Sequence, residues 1–528
     1  MQETKNGLIY IATLCAFLFC APLFSQGTVK GFIQSKSSGE AVMFASVSLE
    51  GTSYGIITDV SGFYSLSKVP EGEYTLVVSS IEYENVKETI YIKSGKVLTK
   101  SYLLNDGVIQ LGGAEVNADR EEQRNSVRMS VETIRPADLK HIPSFGGTPD
   151  LVQVLQVLPG FVSTGDQGGQ LYIRGGSPIQ NKVLLDGMII YNAFHSIGLF
   201  SVFDSDALAN ADIYTGAFSA KYGGRISSVM DIKTRDGNMR EQKVMLSASP
   251  FGAKILLEGP LKKMKNSSGG ISYLLSLKHS YLEKTSEFLY PYIDGGRLPF
   301  GFTDSYGKIT FGGGGSKLSL FGFGFSDNAS VLDDSTGTSF ADYGWKNVGG
   351  GGTFTIVPPG SAVLVNGHFA MSNYSIDLVE ESLPDRYSNV NGFNFGLDFK
   401  YILGEDNIEY GLEVVGVETD YKTFNALSVV VEQVENTTEF GGYVDYTMNR
   451  GKLIVQPSLR LQYYSSLSKF RPEPRIGVKY KYNERLRLKF AAGMYSQNII
   501  SANSDRDVVN LFYGFLSGPD NLQDEFTT

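Results

Sequence analysis

At 528 residues the chain has room for several domains or one large barrel. Its formal charge of −10 excludes nucleic acid as a partner, because nothing in it would neutralise phosphates. Sixty glycines with 33 Phe, 30 Tyr and a single Trp point to a mainly β chain.

The four histidines, His141, His195, His279 and His368, are scattered and never fall at the His-x-x-x-His spacing of a zinc hydrolase. Neither a paired Cys and His nor a Gly-x-Ser-x-Gly elbow occurs, so no catalytic constellation, metal or cofactor is expected. Cys15 and Cys20 both lie near the N-terminus, and removing that segment leaves no thiol or disulfide chemistry.

That first segment reads as a signal peptide over residues 1–25. Lys5 supplies the positive charge, residues 8–19 are apolar, and Ser25 offers a small residue before Gln26 for cleavage. The apolar run, about 16 residues, is short for a membrane-spanning helix. Bulky Phe19 ahead of Cys20 argues against a lipoprotein signal. No later stretch is apolar for long enough to cross as a helix, so any crossing must be made by strands.

Residues 26–105 alternate short apolar runs with Gly and Pro turns. Seven strands are expected, at 29–33, 45–50, 55–58, 63–66, 74–79, 88–92 and 97–103, folded as a sandwich. The run Thr58-Asp59-Val60-Ser61-Gly62-Phe63-Tyr64, followed by Pro70-Glu71-Gly72-Glu73-Tyr74, resembles the carboxypeptidase-regulatory-like domain. The resemblance implies a transthyretin-like β-sandwich without zinc ligands, a binding or spacing module. Asp59 and Tyr64 are read as turn and core residues.

Residues 106–133 read as a linker, broken by Asp106-Gly107 and Gly112-Gly113 and carrying a charged run at 119–124. The next unit, 134–238, is too rich in polar residues and Gly for an ordinary enzyme core. Thr148, Pro149 and Asp150 make a helix start, Leu151, Leu155 and Leu158 a helix face, and Pro159-Gly160 its stop. Strands are expected at 171–174, 183–185, 211–214 and 229–234, with a short helix starting near 204–208.

Four motifs in this unit occur in a telling order. They are Leu155-Gln156-Val157-Leu158-Pro159-Gly160-Phe161, Ile173-Arg174-Gly175-Gly176, Leu184-Leu185-Asp186-Gly187-Met188, and Gly216-Ala217-Phe218-Ser219-Ala220-Lys221-Tyr222-Gly223-Gly224-Arg225. Together they resemble the plug of TonB-dependent outer-membrane receptors of the Bacteroidetes type. The resemblance implies an α+β plug and TonB as energy-transducing partner. It also places the TonB-binding strand in the linker, at Ala114, Glu115, Val116, Asn117 and Ala118, where an extended segment adds to the edge of a partner's sheet. Leu111-Gly112-Gly113 departs from the family's more acidic, Val-rich pattern. Arg174 and Arg225 are candidates to anchor the plug on wall carboxylates, or to brace it internally. Asp166, Gln167, Ser177, Gln180, Tyr191, Asn192 and His195 are candidates for a ligand-facing plug tip.

From 239 to 528 the alternation has period two. Phe393, Phe395, Leu397, Phe399 and Tyr401 alternate with Asn394, Gly396, Asp398 and Lys400, and Leu459, Leu461 and Tyr463 with Ser458, Arg460 and Gln462. One apolar and one charged face at strand length predicts a transmembrane antiparallel β-barrel in contact with outer-membrane lipid. Turns are expected at 449–452 and 482–485, and outer loops at 327–342 and 380–389. The alternation gives roughly a dozen strands, whereas plugged transporters have about 22, and the family's last strand ends in an aromatic. The chain is therefore expected to be a truncated barrel.

The combined expectation is an exported, non-enzymatic receptor of the outer membrane, its N-terminal domain periplasmic, that takes up a small solute or oligosaccharide through TonB. Carbohydrate-importing relatives work with a surface lipoprotein, which leaves such a partner open. A non-transporting adhesin or signal transducer is the alternative, and a peptidase-related enzyme a remoter one.

Overall fold

Short apolar runs between Gly and Pro turns fold the first described residues into two packed sheets. The computed structural model describes residues 26–80, 82–107, 130–140, 149–163, 171–195, 200–264, 269–289, 300–313, 315–332, 339–358, 360–361, 363–381, 383–403, 406–424, 429–483, 486–501, 512 and 514–517. The expected signal peptide, the TonB-binding residues Ala114, Glu115, Val116, Asn117 and Ala118, and the tip residues Asp166 and Gln167 lie outside them.

The sandwich strands are β1 (Gly27–Ser35), β2 (Ser46–Leu49), β3 (Gly55–Ile57), β4 (Phe63–Val69), β5 (Gly72–Ser80), β6 (Tyr83–Ile92), β7 (Val97–Thr99) and β8 (Tyr102–Leu104). One sheet runs β4-β1-β7 with β8 also on β1, the other β3-β2-β5-β6. Val29, Ile33, Val47, Leu66, Leu76, Val78 and Ile92 fill the core between them. The single strand expected at 97–103 is two, β7 and β8, both parallel to β1; between them the Lys100 carbonyl accepts from Tyr64 Oη at 2.7 Å. Gly31 lets that carbonyl come close, since a Cβ there would collide with it. The Asp59 carboxylate accepts from Ser61 N and Phe63 N at 2.8 and 3.0 Å and shapes the turn before β4.

The plug strands are β9 (Val131–Ile134), β10 (Phe161–Ser163), β11 (Leu171–Ile173), β12 (Asn181–Leu185), β13 (Met188–Ile190), β14 (Leu208–Tyr214) and β15 (Ser228–Thr234), with α1 (Pro136–Lys140) and α2 (Leu151–Val157). Five of them form a mixed sheet, β13-β12-β15-β14-β9, in which β12 and β15 are parallel. Its outer strand β9 pairs with β14, so residues 131–133, expected in the linker, belong to the plug sheet. Helix α2 begins at Leu151, one residue after Asp150. The Asp150 carboxylate accepts from Ser201 N at 3.0 Å and Ser201 Oγ at 3.2 Å.

The wall is an antiparallel meander of thirteen strands in chain order. They are β16 (Lys243–Ser249), β17 (Gly252–Lys262), β18 (Gly270–Ser280), β19 (Phe300–Gly313), β20 (Ser316–Leu332), β21 (Ser339–Ile356), β22 (Val363–Glu380), β23 (Arg386–Leu403), β24 (Asp406–Phe424), β25 (Val430–Arg450), β26 (Leu453–Tyr464), β27 (Lys469–Lys481) and β28 (Arg487–Gly493). Helix α3 (Leu282–Leu289) follows β18. Alternation sorts the faces: Phe393 is 40% and Tyr401 38% exposed on the outside, while Asn394 and Asp398 are buried inside.

One end of the wall has short turns, such as Gly451-Lys452 between β25 and β26. At the other end β20 to β23 run into the expected loops at 327–342 and 380–389, β20 as far as Leu332, β21 from Ser339, β22 to Glu380 and β23 from Arg386. These strands have 17 or 18 residues, well beyond the roughly 9–11 that cross a bilayer. In these outer parts the inner face still packs in the hydrophobic cluster, through Ala329, Ala341, Tyr374, Ile376 and Leu378. After β28 the chain turns inward as a hairpin, β29 (Ile499–Ser501) and β30 (Phe515–Ser517), and not as wall. Phe515 N and Ser517 N donate to Ser388 Oγ and Thr419 Oγ1 on the inner face of β23 and β24. Among the described residues no helix is long and apolar enough to cross a membrane.

Candidate functional site at the plug–wall interface

Two wall arginines grip the plug's last motif. Arg460, on the inner face of β26 and 1% exposed, donates to the carbonyls of Ala220 and Lys221 at 3.3 and 3.1 Å and to Glu413 Oε2 at 2.6 Å. Arg475, on β27, reaches the carbonyls of Phe218, Ser219 and Tyr222 at 3.2, 2.5 and 2.8 Å, backed by Glu473 at 2.7 Å. Five adjacent plug carbonyls are thereby satisfied by two forked cations, a use for which Arg suits better than Lys. Gly223 permits the approach, since a Cβ there would sit inside the Arg460 guanidinium. Gly223→Val is expected to displace the motif and raise trypsin cleavage at Lys221 and Arg225 at least about tenfold; unchanged digestion of outer-membrane fractions would refute the close approach.

Further ion pairs tie the plug to the wall. Lys182 meets Glu413 at 2.7 Å, and Lys221 meets Asp398 and Glu409 at 3.1 and 3.5 Å. Asp204 and Asp206 hold Lys254 at 2.7 and 2.5 Å, and Asp236 meets Lys317 at 3.0 Å. The Asp186 carboxylate accepts from Tyr306 Oη at 2.6 Å. Burial alone would raise Asp204 and Asp236, but the ammonium groups beside them hold both below the usual carboxylate range. Burial would likewise lower Lys221, yet Asp398 and Glu409 hold it well above its ordinary value. A polar cavity of about 140 Å³, lined by Lys221, Tyr222, Glu409, Asp445 and Arg475, adjoins the motif, with room for water. Against β19 to β22 aromatic contacts join the polar ones. Phe200 packs on Phe302 with centroids 5.7 Å apart, and Phe203 stacks on Phe323 at 6.4 Å.

The residues singled out from sequence fall in several places. Arg174 stays within the plug and donates to Ser130 Oγ at 3.1 Å. Arg225 is buried and donates to the Gly224 carbonyl at 2.7 Å; Glu439 of β25 stands close, its Oε2 3.1 Å from where a Gly224 Cβ would be. Ser177 and Gln180 belong to a turn of the plug itself, Ser177 N donating to Gln180 Oε1 at 3.2 Å. Asn192 accepts from Phe194 N at 3.1 Å. Tyr191 joins an aromatic group with Tyr374 and Phe515, at 6.4 and 5.7 Å.

His195 lies where the plug meets β19 and β20. It is buried against the wall, with Nε2 3.0 Å from Asp304, Nδ1 3.5 Å from Asp327, and its ring stacked 3.8 Å from Phe302. The wall cations that do most of the gripping were missed as plug anchors. Their signal was present: Arg460 is a charged residue at an inward position of an otherwise alternating strand. Among the described residues no group of His, Cys, Asp or Glu is placed to hold a metal ion.

A small α+β domain seated by charge pairs within a wall that is apolar outside defines a plugged outer-membrane barrel. Comparison with known proteins finds matches to two units of the chain. Residues 29–116 match the CarboxypepD_reg-like domain, a match that takes in Ala114, Glu115 and Val116, and residues 123–229 match the TonB-dependent Receptor Plug Domain. The TonB-dependent receptor SusC of Bacteroides thetaiotaomicron is 30% identical over 239 residues, which cover 42% of this chain and 22% of that protein. A variant of the ferric enterobactin receptor of Pseudomonas aeruginosa shares the fold with a TM-score of 0.54 at 12% identity, over 76% of this chain and 68% of that one. The siderophore receptor PirA of Acinetobacter baumannii matches with a TM-score of 0.53 at 14% identity, over 76% and 67%. Two units of the chain thus match domains of TonB-dependent receptors, and its fold is shared with solved receptors of that kind. The chain spans about a fifth of the length of its curated relative.

Proposed function

We propose that the chain serves active uptake of a solute across the outer membrane into the periplasm, with TonB supplying the pull. The short-turn end and the sandwich face the periplasm, and TonB engages the linker at Ala114 to Ala118. The observation that carries this reading is the character of the grip on residues 216–225. It consists of charge-assisted hydrogen bonds beside a polar cavity, contacts that water can replace as the plug shifts. No step requires a side chain to make or break a covalent bond. Relatives include siderophore receptors, so a siderophore or a glycan is the solute class proposed, with a surface lipoprotein as an optional partner.

Deleting 111–118 from the full gene product is expected to abolish uptake of a labelled oligosaccharide or ferric siderophore while leaving its binding to outer membranes intact. Uptake that survives the deletion would overturn the TonB reading. Binding with no uptake in either form would favour the adhesin or signal transducer.

A further inference from the structure

The outer face of a sandwich sheet ordinarily meets water, but here the outer face of β1 and β4 does not. Lys30, Phe63 and Ser65 point away from the sandwich core, and all three are 3% exposed or less. They are covered by the short-turn rim of the wall. Lys30 Nζ donates to the carbonyls of Pro358 and Ser361 at 2.7 and 2.5 Å, ammonium onto a turn's free acceptors. Phe63, with Phe32 beside it, packs on Val357, Leu364 and Ile402, and Ser67 Oγ donates to the Ile402 carbonyl at 3.3 Å.

The same domain also holds both ends of the plug. At the entry, the Arg135 guanidinium lies 4.7 Å over the Phe44 ring. At the exit, Arg235 binds Glu40 of the sandwich at 3.2 Å and Glu258 of the wall at 2.6 Å, and its Nε donates to the Asp206 carbonyl at 2.7 Å. Just beyond, Met239 N donates to the Ser38 carbonyl at 2.7 Å. One guanidinium thus ties sandwich, plug and wall together.

We propose that the N-terminal sandwich is a clasp on the periplasmic mouth: its docking partner is the rim of its own barrel, and docked it holds the plug in place. This rests on the reading that the plug moves during uptake. Residues 108–129 join the sandwich to the plug, so a pull on them loads the clasp and the plug together, and the sandwich lifts before the plug can leave.

The test locks the clasp. A Cβ at residue 39 would stand 3.0 Å from that of Met239, near disulfide range, so Gly39→Cys with Met239→Cys should bridge on mild oxidation in outer-membrane fractions. Gly39 has φ of +77°, so a second pair, Ser67→Cys with Ile402→Cys joined by a short bis-maleimide, guards against a folding failure. Once either bridge forms, trypsin cleavage within 130–238 in moderate urea should slow about tenfold, and reducing the disulfide should restore the original rate. Glu40→Gln without a bridge should speed it. Failure of both pairs to link in folded protein overturns the docking, and a bridge that leaves plug digestion unchanged overturns the clasp. Neither ligand nor TonB enters these measurements, so their failure leaves the uptake reading standing, and failure of the linker deletion leaves the clasp standing.

Discussion

Replacing Arg460 with Met is expected to release the plug's last motif from the wall while preserving the volume of the side chain. Arg460 is almost fully enclosed and serves Glu413, Gln462 and two plug carbonyls at once. Its removal leaves the Ala220 and Lys221 carbonyls without that donor and takes one ion-pair partner from Glu413, which keeps Lys182. Breaking a buried pair by removing one partner costs about 3–5 kcal/mol, a rise of roughly two to three orders of magnitude in the population with the motif detached. Amide exchange over 216–225 in detergent-solubilised protein is the direct readout. Arg460→Lys should fall between Met and the parent, since an ammonium keeps the charge but cannot fork across two carbonyls and a carboxylate. Exchange in the Met variant equal to the parent's would show that the grip contributes nothing.

Alkaline pH is expected to loosen the plug's outer tip through His195. Burial would lower the pKa of the imidazole, but the charge and hydrogen bond of Asp304, reinforced by Asp327, outweigh it and raise the value above its usual position. The other charged group at this site, Lys278, sits 3.4 Å from Asp304 and 4.9 Å over the Phe302 ring. A cation whose pKa is raised by folding stabilises fully below its unfolded value, about 6.5, and that contribution is lost as pH rises through the folded value. The urea midpoint for plug loosening should therefore fall from neutral to alkaline pH. Trp345, the chain's single Trp, is buried in the hydrophobic cluster that also contains Phe194 and Phe203 of the plug tip, and its fluorescence reports the event. His195→Gln should lower the midpoint at pH 6, by roughly 2 kcal/mol, and flatten its pH dependence. A parent profile already flat would remove the imidazolium from the account.

Much of the architecture is local in origin and was legible from sequence. Period-two alternation in residues such as Phe393 to Tyr401 sets which side of each wall strand is apolar, because neighbouring side chains on a strand must face opposite ways. Gly and Pro spacing likewise marks the sandwich turns. The full length of β20 to β23 was not legible, since polar residues such as Asp327, Asn328, Ser330 and Arg386 near the strand ends read as loop. The role of each charged residue was also beyond sequence. Arg174 and Arg225 stood out because they sit in motifs, yet Arg174 braces the plug internally while Arg460 and Arg475, some 240 residues further along the chain, hold the carbonyls of the plug. His195, chosen for its loop, is enclosed by two aspartates contributed by β19 and β20.

By itself, then, the sequence determined the fold class, the order of the sandwich, plug and wall elements, and the inner and outer faces of the wall strands, because these follow from each residue and its near neighbours. Which cation meets which carboxylate or carbonyl, and the closure of the short-turn end by the sandwich, were decided only by the tertiary structure. Those contacts join residues up to 335 positions apart, and their partners are chosen by curvature and register, which no local pattern encodes.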